Sequence, residues 1–262
     1  MHFIEQLKYR NELLFYFGLA NLLVAIVFLV LAYTTSNMLN GINAWFKPFK
    51  FALSTSLYCW AMLWYCYYLP NFNTTAFNWV IIITLGFEVG YIAFRASRAE
   101  LSHYNMSTPF SSTLFSIMAL AATVATLYTA YISLLFFATS FPTLPDYYVW
   151  SIRFALILFV IFAFEGFAMG ARLSHSVGGN DDSFGVPVVN WSKKFGDLRI
   201  AHFIGMHALQ VLPIFSFYLL KNTKAVLLVS ILYTILSIFT LYIALKGKSM
   251  FKLNQINNEN KL

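Results

Sequence analysis

The sequence predicts an all-α fold, in which a single domain spanning residues 1–262 forms a polytopic membrane bundle of seven transmembrane helices. Hydrophobic residues make up 60% of the chain and charged residues only 10%, whereas soluble domains average about 25% charged residues. The mean hydropathy is +0.68. Apolar segments of roughly 20 residues, the length that crosses a bilayer, occupy nearly all of the chain and leave no sizeable soluble domain.

Seven spans are expected, separated by loops rich in Gly, Pro, Asn and Ser. Their predicted limits are 13–33, 48–69, 76–97, 111–137, 148–172, 198–220 and 225–245. The first span is too long for the apolar core of a signal peptide, so we interpret it as retained. Pro48 suits the first turn of the second span, and small residues about four apart in the fourth span indicate a packing surface. The longest loop, 173–197, has room for structure of its own.

The basic residues predict topology rather than nucleic-acid binding. The net charge is +7 and the pI about 9.3, but lysines and arginines lie beside apolar segments instead of forming a run. We therefore expect membrane lipids as partners and no nucleic acid. With the N-terminus outside, twelve of the 17 basic residues face the inside, which favours this orientation in a bacterial cytoplasmic membrane. Lys8 and Arg10, which precede the first span, argue the other way.

A polar stripe runs along the third predicted span. Its members are spaced so that they share one helical face; they are Thr84, Glu88, Tyr91, Arg95, Arg98 and Ser102. Ionisable residues at membrane depth are costly unless they face the bundle interior. Glu88 and Arg95, seven apart, are expected to share a partner or a water-filled pocket. A structural ion-pair network and a functional pocket both remain open.

The fifth span carries a related pattern, with Glu165 and Arg172 again seven residues apart. Both spans contain Phe-Glu, then Arg after six residues, and both lead to Leu-Ser-His. This similarity is explained either by a duplicated element or by chance in a biased composition.

The stretch GDLRIAHFIGMHALQ, residues 196–210, concentrates polar residues at the start of the sixth span. On a straight helix, His202 and His207 diverge by about 140°, so they do not form the two-histidine metal motif of a metalloprotease. Arg199, His207 and Gln210 instead share one face. Asp197 suits the helix N-cap, and Pro213 is expected to kink the span.

Together these segments predict one site at one membrane face. Candidate catalytic residues are His207, Asp197 and Glu100; candidate metal ligands are His103, His175, His202 and His207. Candidate substrate-binding residues are Arg95, Arg98, Arg172, Arg199 and Gln210, and the intramembrane polar residues are Glu88, Tyr91 and Glu165. The spans that end near 97 and 172 and the span that starts near 198 meet the same face in either orientation.

Three functions are compatible with such a site. The first is a metal-dependent hydrolase or oxidoreductase, with zinc or iron held by imidazoles and carboxylates, that acts on a lipid or amphiphilic small molecule. The second is a membrane protein with a single haem b on two of the histidines. The third is a transporter or receptor with a central Glu and Arg site gated by histidine protonation.

Two segments carry a resemblance to known proteins. INAWFKPFKFALS and GDLRIAHFIGMHALQVLP look similar to a group of bacterial polytopic membrane proteins that has no assigned activity, which implies a shared architecture only. The seven-helix hydrolases of the ceramidase and progestin-receptor superfamily are a fold-level analogy. Their paired histidines lie four apart on one helix, whereas His202 and His207 lie five apart.

Overall fold

The computed structural model describes residues 3–181 and 185–251 and consists almost entirely of helices. The helices are α1 Phe3–Arg10, α2 Glu12–Thr34, α3 Phe46–Cys66, α4 Thr74–Ser97, α5 Pro109–Ala138, α6 Asp146–Arg172, α7 Leu198–Phe215 and α8 Thr223–Leu245. A π-helical turn, Ser216–Leu220, extends α7. Two small antiparallel hairpins pair β1 Met38–Leu39 with β2 Ile42–Asn43, and β3 Ser176–Val177 with β4 Gly196–Asp197.

Within the described residues, six helices are long and apolar enough to cross a membrane: α2, α4, α5, α6, α7 with its π turn, and α8. Helix length and apolarity therefore support six spans, one fewer than the seven predicted from the sequence. The difference is α3, which coincides with the predicted span at 48–69 but carries lysine, serine and threonine among its apolar residues. The short helix α1 was not predicted.

Local sequence signals set the helix starts. Asn11, Asn73, Thr108 and Asn222 each accept a hydrogen bond from the backbone N–H three residues on, at the starts of α2, α4, α5 and α8. Such N-caps satisfy donors that the first turn of a helix leaves unpaired.

The position of α3 explains its polarity. Ten of its 21 residues are buried, whereas only six of the 23 residues of α8 are. Its residues Tyr58, Cys59, Met62 and Leu63 belong to the main hydrophobic core with residues of α2, α5, α6 and α7. An interior helix faces other helices more than lipid, so polar side chains are tolerated on it.

Successive helices from α2 to α8 alternate in direction. At one end of the bundle, which we call the loop face, α2, α4, α6 and α8 end and α3, α5 and α7 begin. Ser249, beyond α8, donates to the carbonyl of Ser192 in the long loop there. At the opposite end, the far face, Arg10 stacks on Trp64, 3.6 Å from its ring centroid.

Pro213 lies inside α7, as the sequence predicts, and its missing N–H frees the carbonyl of Leu209. The hydroxyl of Tyr65, on α3, donates to this carbonyl at 2.6 Å. A neighbouring helix thereby satisfies the acceptor that the proline leaves open. The π turn that begins at Ser216 follows three residues later.

Candidate functional site

The candidate residues of the sequence analysis lie at or near the loop face, but they form separate groups. Arg95 belongs to a buried network within α4 and the connection to α5, and is only 4% exposed. Its Nε donates to the hydroxyl of Tyr91 at 3.2 Å, its Nη2 donates to Ser111 at 2.9 Å, and its Nη1 pairs with Glu100. These three partners make Arg95 a structural tie between α4 and the start of α5.

Arg95 and Arg172 each lie seven residues after a glutamate on the same helix, but neither forms an ion pair with that glutamate. Arg172 is exposed and donates to the carbonyl of Ala168 on the same helix, at 3.4 Å. Arg98 is also exposed and lies 5.0 Å from the ring centroid of Phe94. The similar patterns of α4 and α6 therefore lead to different environments, because Arg95 is buried and Arg172 is not.

A surface groove of about 520 Å³ lies beside the Arg95 network. Arg98, Glu100, Asn105 and Thr108 are among its lining residues. The groove places Glu100 and Arg98 together, away from the histidines of α7.

Asp197 is the N-cap of α7, as predicted, and it holds Arg199 as well. Its side chain accepts a hydrogen bond from the backbone N–H of Arg199 and, with its other oxygen, from that of Ser192 at 2.7 Å. The guanidinium of Arg199 forms a two-pronged contact with it, Nε to Oδ1 at 2.9 Å and Nη2 to Oδ2 at 2.6 Å. Asp197 is 2% exposed and the Arg199 side chain 24%, so a buried carboxylate and a half-buried guanidinium form a structural pair at the base of the long loop.

The long loop, residues 173–197, folds back over the loop face; its residues 182–184 lie outside the described part. Pairing of β3 with β4 joins its two ends. Lys50 of α3 donates to the carbonyl of Val189 at 3.1 Å, and Arg199 donates to the carbonyl of Asn190 at 2.5 Å. Basic residues thus hold the loop against the helices.

Asp181 organises the first half of the long loop. Its carboxylate accepts hydrogen bonds from the hydroxyl of Ser174 at 2.9 Å and from the backbone N–H of Ser176 at 2.9 Å. Nδ1 of His175 lies 2.9 Å from Asp181 Oδ1. Burial opposes ionisation of Asp181, but the contacts with His175, Ser176 and Ser174 prevail and lower its pKa. Burial also lowers the pKa of His175, although Asp181 opposes that shift.

His103 lies in the connection between α4 and α5, with its ring 5.5 Å from that of Phe51 on α3. Its Nδ1 is 3.1 Å from the hydroxyl of Ser102. Burial lowers the pKa of His103 well below its usual range, and the nearby Lys47, His175 and His202 lower it further. The neighbouring Tyr104 lies against His175, with ring centroids 6.2 Å apart, and burial raises its pKa.

Another ionisable contact joins α6 to α7. Nδ1 of His202 lies 3.4 Å from Oε2 of Glu165, whose side chain is 6% exposed. No hydrogen bond reaches either oxygen of Glu165 among the described residues. Glu88 of α4 lies within electrostatic reach of His202 and of Lys47 on α3. Helices α3, α4, α6 and α7 therefore each contribute one ionisable side chain to a shared region, which we call the interior cluster: Lys47, Glu88, Glu165 and His202.

His207 lies one turn and a half further along α7 and has a partner of its own. Its Nδ1 lies within hydrogen-bond distance of Oε1 of Gln210, at 3.1 Å. Its ring packs on Phe203, with centroids 4.3 Å apart. The shared face of His207 and Gln210 predicted from the helix geometry is thus present, whereas Arg199 is engaged by Asp197.

In residues 3–181 and 185–251, no group of three or more His, Cys, Asp and Glu side chains is placed to hold a metal ion. The four histidines are divided among the connection at 98–108, the long loop and two positions on α7. The zinc or iron site, and the haem b site, stay predictions from the sequence.

Several residues of this region were not singled out by sequence reasoning as site residues. Lys47 and Lys50 resemble residues that bind lipid headgroups at a helix start, and Asp181 lies in a loop without a metal-binding pattern. The signal that could have identified Lys47 is its place in a helix too polar to face lipid along its length.

Comparison of the chain with protein-family models, with curated proteins and with solved structures finds no match in any of the three. The resemblance to the bacterial polytopic group and the analogy to the ceramidase and progestin-receptor superfamily have no support beyond the sequence segments themselves.

Proposed function

We propose that the chain is a membrane transporter or receptor that binds a small polar solute inside the helical bundle, at the interior cluster. The observation that carries this proposal is the convergence of ionisable side chains from α3, α4, α6 and α7. Charged groups inside a membrane protein are costly, and they commonly mark pathways or sites for polar ligands.

The cluster offers chemistry for a solute that has both donor and acceptor groups. Lys47 provides an ammonium donor, Glu88 provides a carboxylate acceptor, and His202 serves as either. Lys47, Glu88 and His202 are half-buried rather than sealed, which suits a space that a solute enters from the loop face.

The same proposal makes α3 a seventh span. It lies between helices that are long and apolar enough to cross a membrane, and it contributes Lys47 to the interior cluster. The helices then cross the membrane an odd number of times. This agrees with the bundle, in which α1 lies at the far face and α8 ends at the loop face. The excess of basic residues at the loop face favours a cytoplasmic position for it.

The metal-dependent enzyme is a weaker candidate on this geometry. Asp197, proposed as a catalytic residue, is engaged by the backbone and by Arg199. Glu100 pairs with Arg95. Two of the three candidate catalytic residues are therefore engaged in structural contacts, and the third, His207, contacts Gln210.

Accessibility of single cysteines tests the proposal. We expect Glu88→Cys and Lys47→Cys in reconstituted vesicles to react with a membrane-impermeant maleimide applied at the loop face, and not at the far face. Both positions adjoin a polar space that communicates with water in the proposed site.

Matched controls are available in the chain. Cys59 and Cys66 are 0% and 1% exposed, so the wild-type protein should remain unlabelled. Leu127→Cys, on the outer side of α5, reports a position facing lipid and should not react. Failure of both Glu88→Cys and Lys47→Cys to react in folded protein would reject a solute site and leave a purely structural ion network.

A further inference from the structure

The carboxylate of Glu165 is enclosed without a partner that satisfies it. Neither of its oxygens is accessible to a water-sized sphere, and neither receives a hydrogen bond within the described residues. In residues 3–181 and 185–251, no lysine or arginine forms an ion pair with it, and its one ionic contact is Nδ1 of His202, 3.4 Å from Oε2.

An ionised carboxylate is strongly unfavourable in such surroundings, because burial removes its hydration and nothing replaces it. A metal ion, an ammonium group or a water molecule would relieve the cost, but each needs space beside the oxygens. That space is absent, since a sphere of the size of water does not reach them. A proton needs no such volume.

His202 is placed to exchange that proton with the interior of the site. Its Nδ1 is buried against Glu165 and has no hydrogen bond with any residue that the structure describes. The ring is 30% exposed, and Nε2 is not among its enclosed atoms. One ring nitrogen therefore faces the buried carboxylate, and the other lies on the accessible side.

We propose that Glu165 and His202 form a proton-binding site in which one exchangeable proton is shared between the carboxyl group and Nδ1. On release, the O–H bond of Glu165 breaks as Nδ1–H forms, and the Nε2–H bond of His202 breaks to give its proton to water. The products are the Glu165 carboxylate and neutral His202 with its hydrogen on Nδ1. Loading reverses these steps, so charge and protons balance.

Other ionisable groups lie within reach of the pair and will influence its titration. They are Glu88 on α4, His103 and Tyr104 in the connection between α4 and α5, and His207 on α7. On α8, Tyr233 donates its hydroxyl to the carbonyl of Ile204. The second carboxylate, Glu88, favours retention of the proton.

This inference deepens the proposed function, because it makes the proton a ligand of the interior cluster, coupled to whatever solute enters. Infrared difference spectroscopy of the full-length protein in lipid tests it, with the proton itself as the probe. Between acidic and alkaline buffer, we expect a carboxylic C=O band from Glu165 that shifts when the water is replaced by D2O. Labelling of glutamate with ¹³C in the wild-type protein should shift the same band, which needs no substitution.

Two variants assign the band. Glu165→Gln should remove it, and His202→Gln should retain it but move its titration midpoint by at least several-fold in proton concentration. Glu100→Gln is the matched control, since Glu100 is paired with Arg95 and should leave the band unchanged. The inference would be overturned if Glu165→Gln kept every carboxyl band of the wild-type protein. It would also be overturned if the wild-type protein showed no glutamate-sensitive carboxyl band.

The outcome is separable from that of the cysteine experiment. A band from Glu165 in a protein whose Glu88→Cys and Lys47→Cys variants do not react would reject the solute site and retain the proton site. Reactive cysteines without the Glu165 band would reject the proton site alone.

Discussion

Replacement of Tyr65 by phenylalanine should destabilise the bundle by more than the loss of an ordinary hydrogen bond. The hydroxyl of Tyr65 donates to the Leu209 carbonyl at 2.6 Å, and Pro213 supplies no N–H to that carbonyl. Tyr65 is 4% exposed, so water does not readily take its place. A buried acceptor left unsatisfied costs about 1–3 kcal/mol. A loss of about 2 kcal/mol lowers the equilibrium constant for folding about 30-fold.

The assay is reversible unfolding in mixed micelles, followed by tryptophan fluorescence. Tyr233→Phe is the control, because its hydroxyl also donates at 2.6 Å, but to the carbonyl of Ile204 within a regular stretch of α7. That carbonyl keeps its intrahelical bond, so the loss should be close to the average of about 0.6 kcal/mol for interhelical hydrogen bonds in membranes.

A double-mutant cycle isolates the cause. Pro213→Ala restores an N–H that can bond to the Leu209 carbonyl, so in that background Tyr65→Phe should cost about 1 kcal/mol less than in the wild-type protein. Equal costs in the two backgrounds, or a cost no larger than that of Tyr233→Phe, would refute the explanation.

Three further changes test other parts of the structure. Asp197→Ala removes the α7 cap and the ion pair with Arg199, which is 24% exposed and keeps its bond to the Asn190 carbonyl. Thermal unfolding should therefore show a loss of about 1–2 kcal/mol, and a change below about 0.5 would contradict this role. Gly205→Ala would place a methyl group against Phe162 and should destabilise by about 1–3 kcal/mol. The matched Gly90→Ala, with open space around the added atom, should be neutral or stabilising by up to about 1 kcal/mol; equal effects would contradict the close contact of α6 and α7. The pKa values of His175 and Asp181 are lowered in the folded loop, so the folded form binds fewer protons than the unfolded chain. Hydrogen exchange corrected for intrinsic rates should therefore show less protection of the long loop as the pH falls below about 6.5, and still less below about 3.9. Asp181→Asn should weaken this protection at neutral pH. Protection of the loop that changes neither with pH nor in Asp181→Asn would contradict the assignment.

The bundle was predictable where a helix must face lipid. Hydropathy located α2, α4, α5, α6, α7 and α8 because their outer surfaces contact hydrocarbon. It is a weaker guide to α3, whose burial among other helices removes the need for an apolar surface.

Parts of the site were predictable from local geometry alone. The cap at Asp197 and the shared face of His207 and Gln210 follow from helix positions. Spacing along one helix reports only neighbours on that helix, however. The contact of Glu165 with His202 crosses from α6 to α7 and depends on packing that no sequence period encodes.

The partners of the arginines show the same limit. Arg95 finds Glu100 and Ser111 because the chain turns back after α4, and Arg199 finds the carbonyl of Asn190 because the long loop folds over the helices. These contacts arise from loop conformations, which composition does not specify.

The central claim is that Glu165 and His202 meet inside the bundle. Magic-angle-spinning NMR of the protein in lipid, with ¹³C in glutamate carboxyl groups and ¹⁵N in histidine rings, measures this contact directly. Oε2 and Nδ1 are 3.4 Å apart, so we predict strong dephasing of one glutamate carboxyl signal by a histidine nitrogen, lost in His202→Gln. A Glu165 signal that shows no dephasing by His202 would contradict the account.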